Sequence, residues 1–380
     1  MRRTIIILPK LLGHPDGPSA LEGVNGLIGR IAEQSEILRL SPIPRSPNPE
    51  AAFLGLDPRE IAVAPGPLMV SAFGTSPPGG SVCLAVQVLS TEDGLTVSPT
   101  RLRTLPGEVD QIADAAKRLE TSDLRWVKGT GLEHGLVWLD GNLELVTTPP
   151  AEVTEIKEAL PEGEYEAQLR RFIDDSMNLL TSLEFNRRRA DEGLPPLNLL
   201  WPWGQGLVQS LPNLALQRGE PAWVMSGSRR IQGLCRLVGY VHSDPDALGN
   251  GVNLPFQDIL DHARKYPLTL TVLDGPGRLR GAGRIEEAQW VMRRLEDEVL
   301  QPLLDDATQK RTALLVGAPG FAPKPGTSLP DSAEGLAMLY RSEIAHKSVL
   351  PFDERALEGQ SLGATLWKVV EQAMSSPAAS

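Results

Sequence analysis

The chain has 380 residues, 41% of them hydrophobic and 22% charged, and a formal net charge of −11. This composition is typical of a globular protein, and the length allows one large domain and a smaller one. The acidic balance argues against binding to nucleic acid or to an anionic membrane surface, since both favour a basic protein surface. The apolar run after Arg3 ends at Pro9, which is too short for an export signal or a membrane span, so we expect a cytoplasmic protein.

The first 76 residues predict the beginning of an α/β domain. A β-branched run predicts a strand over 5–8, apolar spacing predicts a helix around 26–34, and another strand is expected to end near Leu40. Four prolines follow within residues 41–49. Because proline biases the residue before it to extended geometry and cannot donate to a sheet ladder, this segment is predicted to be a loop.

Between about residues 77 and 150 the pattern changes to short alternating runs. The predicted elements are strands over 82–89, 135–139 and 143–147, and a helix over 108–119. Short strands around a single helix are typical of a small α+β insertion. Cys83 and Cys235 both lie in apolar surroundings, which predicts buried thiols rather than a disulfide.

From residue 151 onwards helices and strands alternate. The predicted elements are, in chain order, an amphipathic helix over 165–190, a strand over 197–201, a helix over 228–238, a strand over 268–273, a helix over 285–304, strands over 312–316 and 336–340, and a helix over 362–373. Strands separated by helices predict an α/β fold with a doubly wound, largely parallel sheet. The predicted organisation is a core of residues 1–76 and 151–380 with an inserted α+β cap domain at 77–150.

The most specific stretch runs from Asn186 to Gly206 and ends in Trp-Pro-Trp-Gly-Gln-Gly, directly after a predicted strand. It resembles the archaeal type of cofactor-independent phosphoglycerate mutase, within the alkaline phosphatase superfamily. The Phe-Leu-Gly-Leu-Asp-Pro run at 53–58 and the segment 212–239 extend the match in register. The resemblance therefore covers most of the chain and implies a core sheet of alkaline phosphatase type.

The resemblance also implies a chemistry. In this family two divalent metals, held mainly by Asp and His, activate a serine that carries the phosphoryl group between positions of phosphoglycerate. Ionising a hydroxyl near neutral pH requires roughly 12 kcal/mol, which metals supply for bound water. Ser46 falls at the position of the nucleophile, with Pro47 in place of the Asp that normally follows. Two interpretations stay open, namely a relic hydroxyl in a loop and a nucleophile whose activator is not recognisable in the sequence.

The positions that the resemblance assigns to metal ligands carry other residues. They are occupied, in chain order, by Pro9-Lys10, Gly277, Gly281, Pro319-Gly320 and Asp331. Asp274 is the only carboxylate nearby in the glycine-rich segment, and none of the five histidines stands in a metal-ligand spacing. We therefore expect no metal ligands and no cofactor. Manganese or zinc is expected only if the metal set has been rearranged.

Substrate contacts are assigned partly by resemblance and partly by charge. The resemblance assigns them to His134, Asn186, Arg187 and Asn253. A glycine-rich segment lies between a predicted strand and a predicted helix and contains Arg278 and Arg280. These two arginines could bind an anion at the N-terminus of the helix, or the segment could be an ordinary connection. Simpler interpretations also stay open, since His134 can hydrogen-bond within the insertion and Arg187 ends a helix, where the dipole favours cations.

Three functions follow from these observations. The favoured one is a phosphoglycerate mutase-like protein that has lost metal-dependent phosphoryl transfer and keeps the scaffold for binding or regulation. The alternative is an active 2,3-bisphosphoglycerate-independent phosphoglycerate mutase, or a related phosphotransferase, with a rearranged metal site and Ser46 as nucleophile. A third hypothesis is a metal-free binder of a small phosphorylated metabolite through Arg187, Arg278 and Arg280. The sequence identifies no protein partner.

Overall fold

The structure is a computed structural model that describes residues 2–12, 19–22, 26–248, 252–307, 312–320, 334–342, 351–353, 356 and 363–375. The chain forms two compact units. The first comprises Met1–Ala62, Pro212–Ile231 and Val238–Ser380, and the second comprises Val63–Leu211 and Gln232–Leu237. Among the described residues, none of the helices combines the length and the hydropathy needed to span a bilayer.

Strands and helices alternate along most of the chain. The strands are β1 (Arg2–Ile7), β2 (Glu36–Leu40), β3 (Val82–Leu89), β4 (Leu124–Thr130), β5 (Glu133–Trp138), β6 (Leu199–Leu207), β7 (Trp223–Ser226), β8 (Val241–His242), β9 (Leu268–Val272), β10 (Thr312–Ala318) and β11 (Gly335–Arg341). The helices are α1 (Leu27–Glu33), α2 (Pro65–Ala72), α3 (Glu108–Lys117), α4 (Ile156–Ala159), α5 (Glu166–Thr181), α6 (Glu184–Asp191), α7 (Leu214–Arg218), α8 (Arg229–Val238), α9 (Phe256–Lys265), α10 (Gly275–Gly281), α11 (Ile285–Leu295), α12 (Gln301–Ala307) and α13 (Leu366–Met374). A short 3-10 helix covers Pro49–Leu54, and a π-helical turn at Glu296–Leu300 joins α11 to α12.

The first unit contains a seven-stranded sheet in the order β2-β11-β10-β1-β9-β7-β8. Only β11 runs against its neighbours, so the sheet is largely parallel, as predicted. The apolar side chains of β1 alternate between its two faces. Ile6, and Leu8 directly after the strand, join the core formed with α1, α9 and α11, whereas Ile7 lies near Leu366 of α13 on the other face. Burial on both faces explains the continuous apolar run of this strand.

The second unit contains a four-stranded antiparallel sheet in the order β4-β5-β3-β6. One face packs against α3 and α5, and α2 contributes Val70 to a smaller cluster with Cys83 and Val127. Cys83 and Cys235 are buried free thiols, as predicted. This unit is larger than the predicted insertion at 77–150, because α2, α5 and β6 also pack on its sheet.

Several predicted elements differ from the structure. Residues 143–147 form no strand, and only Val146 makes a bridge, to Glu162. The helix predicted over 165–190 is divided into α5 and α6, because Leu183 between them has an extended backbone, with a φ of −73° and a ψ of 146°. The glycine-rich connection after β9 is the helix α10, whose first turn contains a proline with a favourable φ.

Candidate functional site

The carboxyl ends of β1, β9 and β10 lie side by side in the first unit. The backbone N–H of Leu273 donates to the carbonyl of Ile7 at 2.9 Å, and that of Lys10 donates to the carbonyl of Pro319 at 2.9 Å. Ligands of α/β proteins bind outside this edge of the sheet. The loops that meet here are also the ones to which the resemblance assigns metal ligands. We therefore take them as the candidate site.

Lys10 adopts a left-handed backbone conformation with a φ of 57°. Glycine adopts this conformation without the Cβ clash that other residues meet, and glycine is the residue that the resemblance places at this position. The conformation therefore supports the register that aligns Pro9-Lys10 with an Asp-Gly pair. The carbonyl of Lys10 accepts a hydrogen bond from Nε of Arg280 at 3.2 Å, which ties α10 to the end of β1.

Gly277 lies in direct contact with the same loop. A Cβ at position 277 would lie 2.1 Å from the carbonyl oxygen of Pro9 and 3.0 Å from that of Lys10. Real Cβ atoms essentially never come that close to another heavy atom, so neither Asp nor His fits here without displacing the backbone. Gly281, one turn further on, is exposed, and a Cβ there would have no heavy atom within 4 Å.

The remaining ligand positions offer few donor atoms. Asp274 is half exposed and pairs with Arg278 at 3.1 Å, and Pro319 and Gly320 have no ligating side chains. Within the described ranges, no group of three or more His, Cys, Asp and Glu residues could hold a metal ion. Asp331 lies outside the described residues. The side chains present in this part of the chain therefore do not fit the pair of divalent metals that the resemblance implies.

Ser46 lies in the predicted proline-rich loop, and its hydroxyl has two backbone partners. Its Oγ donates to the carbonyl of Pro58 at 2.7 Å and accepts from the N–H of Asn48 at 3.0 Å. The loop is held by Arg230, which donates to the carbonyl of Pro47 and forms an ion pair with Glu50 at 3.4 Å. The hydroxyl thus stabilises a turn, and its only proton is directed at a carbonyl rather than at a base.

The predicted anion cradle has a different arrangement. Arg280 is buried and points at the backbone carbonyl of Lys10, and Arg278 is half exposed beside Asp274. Each arginine therefore has at least one protein partner. Asn253 is exposed in the bend that precedes α9.

His134 lies on β5 in the core of the second unit and is fully buried. Its Nδ1 accepts from the N–H of Gly129 at 3.0 Å, and its ring centroid is 4.8 Å from that of Trp126. Burial lowers the pKa of this imidazole to about 4, so the ring is neutral near pH 7. A neutral ring with no exposed surface fits the simpler interpretation, a histidine that stabilises the β4–β5 hairpin.

The two substrate-contact candidates on α6 differ in exposure. Asn186 is buried, donates to the carbonyls of Leu180 and Leu197, and accepts from the N–H of Leu197. Arg187 is exposed and has a 3.5 Å contact with Glu184 on the same helix. This region also contains an ion pair that was not predicted from the sequence, in which buried Arg189 contacts Glu108 at 2.8 Å.

The comparisons with known proteins agree with this fold. No protein-family model matches the chain. A 2,3-bisphosphoglycerate-independent phosphoglycerate mutase from Methanosarcina mazei is 22% identical over 323 residues, which cover 82% of this chain and 81% of the relative. A solved protein from Pyrococcus horikoshii superposes with a TM-score of 0.75 at 16% identity, over 98% of this chain and 96% of that protein. The cofactor-independent phosphoglycerate mutase from Thermoplasma acidophilum superposes with a TM-score of 0.61 at 19% identity, over 98% and 99% of the two chains.

The similarity to solved structures shows the fold class of the protein. The protein has the mixed α/β fold of the cofactor-independent phosphoglycerate mutases, with a large, mostly parallel sheet and a separate antiparallel sheet. Within that class it resembles in sequence the archaeal 2,3-bisphosphoglycerate-independent phosphoglycerate mutases, at 22–26% identity over most of the chain. The resemblance drawn from the Trp-Pro-Trp-Gly-Gln-Gly stretch is confirmed.

Proposed function

We propose that this phosphoglycerate mutase-like protein has lost metal-dependent phosphoryl transfer and keeps the scaffold for binding or regulation in the cytoplasm. The observation that carries the proposal is the contact between Gly277 and the carbonyl of Pro9, which occupies the space that a ligand side chain would need. The relatives are named as mutases, and this chain shares their fold and ancestry.

The energetics of the serine support the same conclusion. Ionising the hydroxyl of Ser46 near neutral pH requires roughly 12 kcal/mol of stabilisation, and hydrogen bonds to backbone groups supply about 1 kcal/mol each. The hydroxyl donates to Pro58, which favours its protonated form. A phospho-serine intermediate at this position is therefore not expected.

The test combines metal analysis with a mutase assay. The purified full-length protein is measured for bound metal and for conversion of 3-phosphoglycerate in added manganese or zinc. We expect no stoichiometric metal and no turnover above that of a protein-free sample. Two metals per chain, with turnover that Ser46→Ala abolishes, would overturn the proposal and establish the active mutase with a rearranged site.

A matched variant controls for the loss of a structural hydroxyl. Ser182→Ala also removes one hydroxyl that donates to a backbone carbonyl, that of Leu179 at 2.8 Å, at a position with no assigned role in catalysis. If turnover is detected and both variants reduce it equally, the effect is structural and Ser46 is not the nucleophile.

Retention of a small phosphorylated metabolite is tested separately. If the scaffold still binds 3-phosphoglycerate, the melting temperature should rise with ligand excess, because binding to the folded state stabilises it. An Arg187→Gln variant should lose that rise if this exposed arginine contacts the ligand. If millimolar 3-phosphoglycerate does not raise the melting temperature, the protein does not bind this metabolite, and a regulatory or assembly role remains.

A further inference from the structure

Residues 140–166 of the second unit form a strongly acidic surface segment. They include eight Asp or Glu residues and only one lysine, in a chain whose net charge is −11. Seven of these carboxylate residues are exposed, and the eighth, Glu166, is half-buried. This surface repels nucleic acid and anionic membranes, and it attracts a cationic partner.

Three large apolar side chains are exposed within the same segment. Leu143, Val146 and Tyr165 are 45%, 65% and 60% exposed. Val146 and Glu162 exchange two backbone hydrogen bonds, of 2.9 and 3.0 Å, so the two stretches that carry these side chains run side by side. We call residues 143–146 and 162–165 the acidic ribbon. Exposed apolar side chains surrounded by charges are typical of the centre and rim of a protein interface.

Tyr165 is the most unusual residue of the acidic ribbon. Its φ of 67° and ψ of 14° place a bulky aromatic residue in the left-handed region, where the N-terminus of α5 begins. Among the described residues, the only other non-glycine residue with a positive φ is Lys10, at the candidate site. An exposed ring on a strained backbone contributes little to folding, and such strain is commonly retained where it serves a function.

We propose that the acidic ribbon binds a basic segment of a partner protein, with apolar side chains of the partner against Val146 and Tyr165 and its cations against the surrounding carboxylates. A second copy of this chain is a poor occupant, because self-pairing of the acidic ribbon would bring like charges together. The surface lies entirely in the second unit. The inference therefore goes beyond the proposed function and holds whether or not the chain turns over phosphoglycerate.

The test uses the full-length protein and three labelled synthetic peptides. One alternates lysine and leucine, the second alternates lysine and serine, and the third alternates glutamate and leucine. Fluorescence anisotropy should show that the lysine–leucine peptide binds at least tenfold more tightly than the other two. Its affinity should fall as salt is raised, because the carboxylates are exposed.

Variants locate the binding surface. Val146→Ser combined with Tyr165→Asn should weaken binding of the lysine–leucine peptide about tenfold, since it removes the central apolar contacts. Glu162→Gln combined with Glu164→Gln should weaken binding less and reduce its salt dependence. Leu216→Ser, which changes a 79% exposed leucine in the first unit, is the matched control and should bind like the unmodified protein.

The Tyr165→Asn substitution should weaken peptide binding without lowering the stability of the protein. Asparagine tolerates the left-handed conformation better than tyrosine does, so Tyr165→Asn alone should not lower the melting temperature even though it weakens binding. The proposal is wrong if the Val146/Tyr165 variant binds normally, if Leu216→Ser weakens binding equally, or if the lysine–serine peptide binds as tightly as the lysine–leucine peptide.

Discussion

The close contact between α10 and the loop after β1 can be tested by making the same substitution at two positions of this short helix. Gly277 and Gly281 both lie in α10, and both have an ordinary helical backbone with negative φ. At position 281 a new methyl group meets open space, whereas at position 277 it would lie 2.1 Å from the carbonyl oxygen of Pro9. Gly→Ala should therefore have opposite effects on stability at the two positions.

The magnitudes follow from two opposing terms. Alanine in place of glycine stabilises a helix by up to about 1 kcal/mol, so Gly281→Ala should raise the free energy of unfolding slightly. At position 277 the same gain is outweighed by overpacking, which costs about 1–3 kcal/mol and more when backbone must move. Displacing α10 would also break the hydrogen bond from Arg280 to Lys10, which contributes about 1 kcal/mol. The two variants should thus differ by about 2–4 kcal/mol.

Urea denaturation followed by circular dichroism measures this difference. Equal stability of the two variants within about 0.5 kcal/mol would refute the close contact, since that is the usual scatter of neutral substitutions. The contact also has a functional consequence. A Gly277→Asp variant that folds normally and binds manganese would show that the site still has room for a metal ligand.

Three further predictions concern buried groups of the second unit and of α8. Burial lowers the pKa of His134 to about 4, below its ordinary value of 6.5, so the unfolded chain binds more protons between these values. The free energy of unfolding should therefore fall by at most about 3 kcal/mol as the pH is lowered from 6.5 to 4. Urea denaturation of a His134→Asn variant should lack this pH dependence. Glu108→Ala leaves Arg189 buried without its carboxylate and should cost about 3–5 kcal/mol by thermal or urea unfolding, whereas replacing both with apolar residues should cost less. Burial raises the pKa of the Cys83 thiol to about 12 and raises that of Cys235 as well, so a disulfide reagent should modify them only as fast as the protein unfolds. Rapid modification of both thiols under native conditions would contradict their burial.

The sequence by itself determined most of the elements whose signal is local. The bounds of β3 are those predicted from its alternating run, and the prolines at 41–49 identify a loop because each restricts its own backbone and that of the preceding residue. The alternation of helices and strands was enough to predict a largely parallel sheet. The missing Asp and His residues could also be read directly from the sequence.

Contacts between distant segments were decided only by the tertiary structure. The strand predicted to end at Trp201 continues through Pro202 to Leu207, which is possible because β6 is an edge strand and the missing N–H is not needed there. Asn186 and His134 have polar side chains that the sequence could not distinguish from ligand contacts. Both residues are buried and have backbone hydrogen-bond partners, and only the tertiary structure shows this.

The candidate site shows most clearly which features the sequence determines and which depend on the tertiary structure. The sequence established that residues 9, 277, 319 and 320 lack ligating side chains, since residue identity is all that this requires. It could not establish that α10 lies against the end of β1, because that contact joins backbone atoms of residues far apart in the chain. Backbone atoms are the same in every residue, so their close approach leaves no pattern in the sequence beyond a glycine where no side chain fits.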